Sequence, residues 1–335
     1  MAIETLPRPD QPEPEKSETS KVDYSFEGQF KRRLTMEVGG KKVDYLRISP
    51  PPEKMIADTP AVLLPGFTEN PDLLKKILKK LYNDGRQVYT LTYPREKLDI
   101  EQNGHPQAQD QKIEATIGLI DEARSVTPGK VDLIGRSDGG VNATFAATKN
   151  PEWIDNLILV DTKLTAQENP MYLSTRFLKH ASIEGRELFT HPLEQAYLRH
   201  GVKQGINYIL PHISQSVEEI SALAHSDIRP ELPRLREKGV GVYGIHGTGD
   251  TIFPMEGLQK GVAEAGGKQQ DPEILMGMGL VKKTKNKEGN TIVIKDDKVT
   301  AQPQTLFDGF YSATANIDHA SIYNNDKYVS LISHV

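Results

Sequence analysis

Residues 131–149 read VDLIGRSDGGVNATFAATK. Val131 to Ile134 have strand character, Gly135-Arg136-Ser137-Asp138-Gly139 follows at once, and a helix-like run starts directly after it. G-x-S-x-G between a strand and a helix puts its serine on a sharp turn, and the two glycines are needed because larger side chains would crowd the backbone there. In this context the string marks Ser137 as a nucleophile, against the plain alternative of a glycine-rich turn with an incidental serine. Asp138 is the neighbouring rival, since aspartate can attack to form an alkyl-enzyme ester. Register favours Ser137. Centring the turn on Asp138 would put Arg136 at the crowded position two residues earlier, whereas centring it on Ser137 puts Gly135 and Gly139 at the crowded positions. Asp138 then opens a helix, where its charge is favourably placed against the macrodipole.

Working outward, AVLLPGF (61–67), NPDLLKKILKKLYNDG (70–85), QVYTLTYP (87–94) and DQKIEATIGLIDEARSV (110–126) alternate short apolar strands with helices. Such alternation predicts a parallel sheet with crossover helices. In the first helix Asn70 suits the cap, Pro71 the first turn and Gly85 the exit. Leu73, Leu74, Ile77, Leu78 and Leu81 share one face, and Lys75, Lys76, Lys79 and Lys80 form a solvated opposite face rather than a phosphate patch. In the second, Ile113, Ile117 and Ile120 repeat the pattern. Upstream, two strand-like runs at 30–38 and 42–49 meet at Gly39-Gly40 as a hairpin. Downstream, 157–163 and 240–247 read as further strands. The stretch between them is far longer than an ordinary connection. It reads as helices at 171–180, 193–200 and 215–225, a helical cap over residues 165–238. The core then comprises 26–164 and 239–335, with a possible hairpin insertion at 266–306 around Glu288-Gly289-Asn290.

Across the 335 residues, Lys and Arg number 41 and Asp and Glu 46, a net charge of −5 that supplies no basic field for nucleic acid. With no cysteine, thiolate chemistry, disulfides and Cys-ligated metals are excluded. Neither G-x-G-x-x-G nor G-x-x-x-x-G-K-[ST] appears in a binding context, and no H-E-x-x-H spacing is present, so the expectation is no cofactor and no catalytic metal. Residues 1–25 interleave Pro, Glu, Ser and Lys and read as a disordered arm without a secretory signal. No run approaches the ~20 apolar residues of a membrane span. The expected location is the cytoplasm.

A serine hydroxyl needs a histidine base, which in turn needs a carboxylate. Asp250 closes His246-Gly247-Thr248-Gly249-Asp250 after the 240–247 strand. His319 follows FDGFYSATANID (307–318), read as the last strand and its loop. Asp161, at the end of the preceding strand, is the alternative acid; Asp318 adjoins His319, but sequence neighbours seldom face each other in triad geometry. The remaining histidines, including His246, read as packing or surface residues.

The Ser137, Asp250, His319 order and the GRSDG turn resemble the α/β-hydrolase superfamily over residues 30–335. The resemblance implies a mostly parallel eight-stranded sheet flanked by helices, antiparallel near its N-terminal hairpin. It also implies a cap after the sixth strand and oxyanion donors in the backbone N–H groups of Phe67 and Asp138. Where many members have His-Gly, this chain has Pro65-Gly66. The expected activity is hydrolysis of a carboxylic ester or related acyl bond of a small molecule. Peptidase, thioesterase, acyltransferase, C–C hydrolase or cofactor-free peroxidase-like chemistry, or a non-catalytic binder on the same scaffold, are alternatives, and oligomeric state is left open. Met171, Tyr172, Phe177, Leu178, Phe189, Tyr197, Leu198 and Tyr208 are divided between core and pocket, mostly core. Thr68 and Glu69 belong either to a substrate contact or to a solvated loop.

Overall fold

A computed structural model describes residues 23–56, 59–95, 98–100, 105–190, 203, 205–246, 250–254, 257, 268–269, 281–284, 291–294 and 309–310. Its centre is a sheet of β1 (Leu34–Val38), β2 (Lys41–Ile48), β3 (Ala61–Leu64), β4 (Val88–Leu91), β5 (Val131–Arg136), β6 (Ile154–Val160) and β7 (Gly241–Ile245), in spatial order β1-β2-β4-β3-β5-β6-β7. β1 with β2 and β2 with β4 run antiparallel, and every other neighbouring pair is parallel. The sheet therefore has seven strands among the described residues where eight are expected. β8 (Lys268–Gln269) and β11 (Gly309–Phe310) form a separate parallel pair, and β11 packs beside β7 at the sheet's edge without entering the ladder. β9 (Val281–Thr284) and β10 (Thr291–Ile294) pair antiparallel.

Strand alternation divides the core between two faces. Val62, Leu64, Leu133 and Leu157 pack with α3 (Gln107–Val126), α4 (Asp138–Lys149) and α7 (Glu231–Glu237). Leu63, Ile134, Ile158 and Val160 pack on the other face with α1 (Phe26–Lys31) and α2 (Lys75–Asn83). The predicted face of α2 is buried throughout, and Gly85 leaves it at φ 76°. Residues 71–74 are turns rather than the first helical turn, with Asn70 Oδ1 accepting from Asp72 N at 2.9 Å.

The run at 30–38 is not one strand. Ser25 caps α1 by accepting from Gly28 N, and Phe26 and Phe30 stack at 5.5 Å and bury against the α2 face. An i, i+4 aromatic pair can stack on a helix, where the two residues are neighbours, but not on a strand, where they would stand about 13 Å apart. Asp23 and Tyr24 are engaged as well: Asp23 Oδ1 accepts from Ser25 N and Tyr24 O from the Tyr82 hydroxyl. Residues 23–25, read as part of the arm at 1–25, are thus hydrogen-bonded into the fold; residues 1–22 lie outside the described residues.

Between β6 and β7 the helices expected at 171–180 and 215–225 lie within α5 (Pro170–Thr190) and α6 (Ile213–His225), and 193–200 is outside the described residues. Lys163 ties this segment to the sheet. Its side chain is fully buried just after β6, and its ammonium donates to the carbonyls of Thr165, Ala166, Ala224 and Ser226 at 2.6–3.3 Å. Burial pushes its pKa down from 10.5 to about 8, opposed by Glu168 and Asp227. Below pH 8 the lysine is charged in both folded and unfolded chains. Between about 8 and 10.5 the folded chain gives up its proton first, so this group's contribution to stability rises with pH. The unfolding free energy of the wild type minus that of Lys163→Met should therefore become more positive from pH 8 to pH 10.5, by up to about 3 kcal/mol in guanidinium melts. A difference that stays constant or becomes more negative would show that the charge is not penalised.

Candidate active site

The ladder register lines up the carboxyl ends of four parallel strands: Leu64 pairs with Gly135, Arg136 with Val160, and Val160 with Ile245. The residues just beyond them, Pro65-Gly66, Ser137, Asp161 and His246, therefore emerge at one edge, where open α/β sheets hold their ligands.

Ser137 sits at φ 52°, ψ −121°, a strained conformation for a non-glycine residue, between the end of β5 and the start of α4. Its N–H donates to Val160 O at 2.8 Å, and its carbonyl accepts from Gly140 N. The glycines around it are sterically required. A Cβ on Gly135 would meet Gly139 O at 2.6 Å, and one on Gly139 would meet Leu64 O at 2.7 Å. Gly140 likewise abuts Thr162, and a Cβ on Gly66 would lie 3.1 Å from Ser137 Cβ. Gly135→Ala should thus cost about 3 kcal/mol or more, because backbone rather than a movable side chain blocks it. Gly205→Ala, with nothing within 4 Å, is the matched control and should stay within about 1 kcal/mol of wild type. Equal denaturation midpoints for the two variants would contradict this packing.

Asp138 is the first residue of α4, and its amide has no intrahelical acceptor. Its carboxylate is buried and accepts from Lys112 Nζ at 2.7 Å; the same ammonium donates to Glu219 Oε2 at 2.7 Å. Arg95 and Tyr208 complete the cluster, reaching Glu219 at 2.5 and 2.7 Å. Burial works against the charge of Lys112, but Asp138, Tyr208 and Glu219 outweigh it and hold its pKa well above the ordinary lysine value. Burial also raises the pKa of the Tyr208 phenol, so it donates to Glu219 as a neutral hydroxyl. The Asp138 carboxylate is thus engaged by a side chain of α3 at the start of α4.

Phe67 lies on the turn after β3, and its backbone N–H has no acceptor among the described residues. Its ring meets Phe177 of α5 and Tyr208, each at 5.6 Å between centroids, so the segment between β6 and β7 borders this turn. Met171, Tyr172 and Leu178, expected mostly in the core, are instead exposed, because α5 turns that side away from the sheet. Side chains of Phe189, Tyr197 and Leu198 fall outside the described residues. Glu69 is neither in a solvated loop nor aimed outward. It is buried, accepts from Gly66 N at 2.7 Å and pairs with Arg136.

Asp250 is buried, with Oδ1 accepting from Ile252 N at 2.8 Å and Phe253 N at 2.9 Å. His246 stands between the two candidate acids, Nδ1 being 3.6 Å from Asp161 and Nε2 3.5 Å from Asp250. Its Nε2 donates to Phe253 O at 2.6 Å, so that nitrogen carries the proton. Asp161, His246 and Asp250 bring three ligand-type atoms within 4.8 Å of one another. Committing Nε2 to a carbonyl and Oδ1 of Asp250 to two amides makes this a packed hydrogen-bonding corner rather than an open coordination site. His319 lies outside the described residues.

Sequence reasoning missed the Lys112–Asp138–Glu219 cluster and the Glu69–Arg136 pair. A signal existed for each. Lys112 shares a helical face with Thr116, Leu119 and Ala123, and Arg136 ends a strand that is buried at every position. A charge on an otherwise buried face calls for a partner.

No protein-family model matches the chain, and neither does any curated protein. Solved structures do. The esterase EaEST from Exiguobacterium antarcticum superposes with a TM-score of 0.59 at 14% identity, covering 90% of this chain and 99% of that one. An enol-lactonase from Burkholderia xenovorans LB400 gives 0.57 at 14%, covering 90% and 98%. An alpha/beta hydrolase fold protein from Chitinophaga pinensis gives 0.55 at 14%, covering 90% and 96%. The chain has the α/β-hydrolase fold. Within that fold, the GRSDG turn occupies the strand-to-helix position after the interior strand β5, and the Pro65-Gly66-Phe67 turn stands beside it after β3. At these identities the likeness concerns the α/β-hydrolase fold and not the reaction.

Proposed function

We propose that this protein is a serine hydrolase that cleaves a carboxylic ester, or a related acyl bond, of a small molecule through an acyl-enzyme. The observation that carries this reading is the strained backbone of Ser137 at the carboxyl edge of the sheet, wedged between obligate glycines and facing the Gly66 turn. Strain of this kind persists only where the surroundings enforce it, and here it lifts a hydroxyl off a buried strand.

In the proposed reaction His319 removes the proton from Ser137 Oγ as that oxygen bonds to the substrate's carbonyl carbon. The carbonyl electron pair moves onto oxygen, which the N–H groups of Phe67 and Asp138 receive. The imidazolium then protonates the leaving alkoxide as the carbon–oxygen bond breaks. Water, deprotonated by His319, attacks the acyl-enzyme, and Ser137 leaves with the returned proton while the acid departs. Asp250 orients His319 and stabilises its charged form.

We assign residues 165–238 as a cap over this site. Phe177 and Tyr208 bring an apolar surface against Phe67, which suits an acyl group without charge. The test is covalent labelling with a fluorophosphonate followed by peptide mapping. An adduct on Ser137 is expected. A folded protein that takes no label would favour a non-catalytic binder, and esters, thioesters and aminoacyl amides of graded length would then order the substrates of a labelled one.

A further inference from the structure

The turn that carries Phe67 is held in an unusual way. Gly66 O accepts from Glu69 N at 3.2 Å, closing a four-residue turn, and Thr68 inside it has φ 65°. A β-branched residue disfavours that left-handed conformation, so this turn does not persist on its own preferences. Glu69 closes it a second time, with Oε2 accepting from Gly66 N at 2.7 Å. Its other oxygen, Oε1, pairs with Nη1 of Arg136, and the two side chains are 8% and 5% exposed. Arg136 is the last residue of β5 and immediately precedes Ser137. One carboxylate thus joins the turn after β3 to the strand that delivers the serine, at the place where Gly66 and Ser137 approach most closely.

We propose that Glu69 and Arg136 are positioning residues: their buried ion pair fixes the Phe67 N–H relative to Ser137, so that the amide meets the developing oxyanion. The inference rests on the reading of Ser137 as nucleophile and of Phe67 as an oxyanion donor. A bidentate carboxylate suits the task because one oxygen defines the turn and the other references it to the nucleophile's own strand. The charge pair is shielded from water, so the link is stiff and little screened by salt. Preorganised donors act only when they are aimed at the oxyanion's position, and losing one such donor lowers kcat by about 100- to 1,000-fold.

The test measures fluorophosphonate labelling rates and p-nitrophenyl ester kinetics for the full chain. Glu69→Ala should slow labelling and kcat by about 100-fold with KM within about threefold of wild type. Glu69→Gln, which retains an acceptor for Gly66 N, should lose only about tenfold. Because Glu69→Ala takes the carboxylate away from buried Arg136, Glu69→Ala with Arg136→Leu removes both charges and keeps the fold testable. It should fold, by circular dichroism, and still show the lowered kcat. A folded double variant that labels at the wild-type rate, or a loss confined to KM, overturns this inference alone. Failure of the wild type to label overturns the reading of Ser137, and the inference with it.

Discussion

Ser137→Ala is expected to lower turnover of an activated ester by at least about 10,000-fold and to abolish fluorophosphonate labelling, while leaving the denaturation midpoint close to that of the wild type. The size of the effect follows from the role. In the proposed mechanism, removing Oγ deletes the atom that would form the acyl-enzyme, so only binding and oxyanion stabilisation would remain to assist water. Stability is expected to hold because the strained φ of 52° belongs to the backbone and is imposed by the packing of Gly135, Gly139 and Gly140, not by the hydroxyl. Alanine tolerates that conformation no worse than serine. Full retention of turnover on responsive esters would remove Ser137 from the mechanism and leave only the fold.

The second large effect separates the two buried acids. Asp250→Asn should reduce kcat by about 10,000-fold near pH 7, because an amide at that position presents the wrong hydrogen-bonding partner and disfavours the imidazolium. Asp161→Asn should change kcat by less than about tenfold. Asp161 is fully buried at the end of β6 with φ 44°, and its carboxylate lies 3.6 Å from His246 Nδ1. It is placed to set the orientation of His246, whose other nitrogen is bound to Phe253 O. Steady-state kinetics of the two variants decide the matter, and the reverse ranking would make Asp161 the acid and Asp250 the structural partner.

The architecture was legible because its signals are local and redundant. The apolar face of α2, the glycines of the 131–149 segment and the alternation of strands with helices each follow from side-chain spacing alone. The misreadings fall where two local patterns compete. Phe30 looks like the first residue of a strand from 30 to 38, yet its pairing with Phe26 four residues earlier makes it part of α1. Met171, Tyr172 and Leu178 look like core residues, but α5 presents that face outward.

That a serine sits on a glycine-flanked turn between a strand and a helix, and that this chain offers no cysteine chemistry, can be read from residue order alone. Those properties depend on residue identity and on neighbours a few positions away. What holds the turn emerges only from packing. Glu69 reaches Arg136 from the turn after β3, Lys112 reaches Asp138 from α3, Glu219 reaches Lys112 from α6, and His246 falls between Asp161 and Asp250. Apart from His246 and Asp250, four residues apart, these pairings join groups far apart along the chain. The reason they are decided at this level is electrostatic: a charge withdrawn from water must find its counter-charge wherever packing places one, and spacing along the chain carries no record of that encounter.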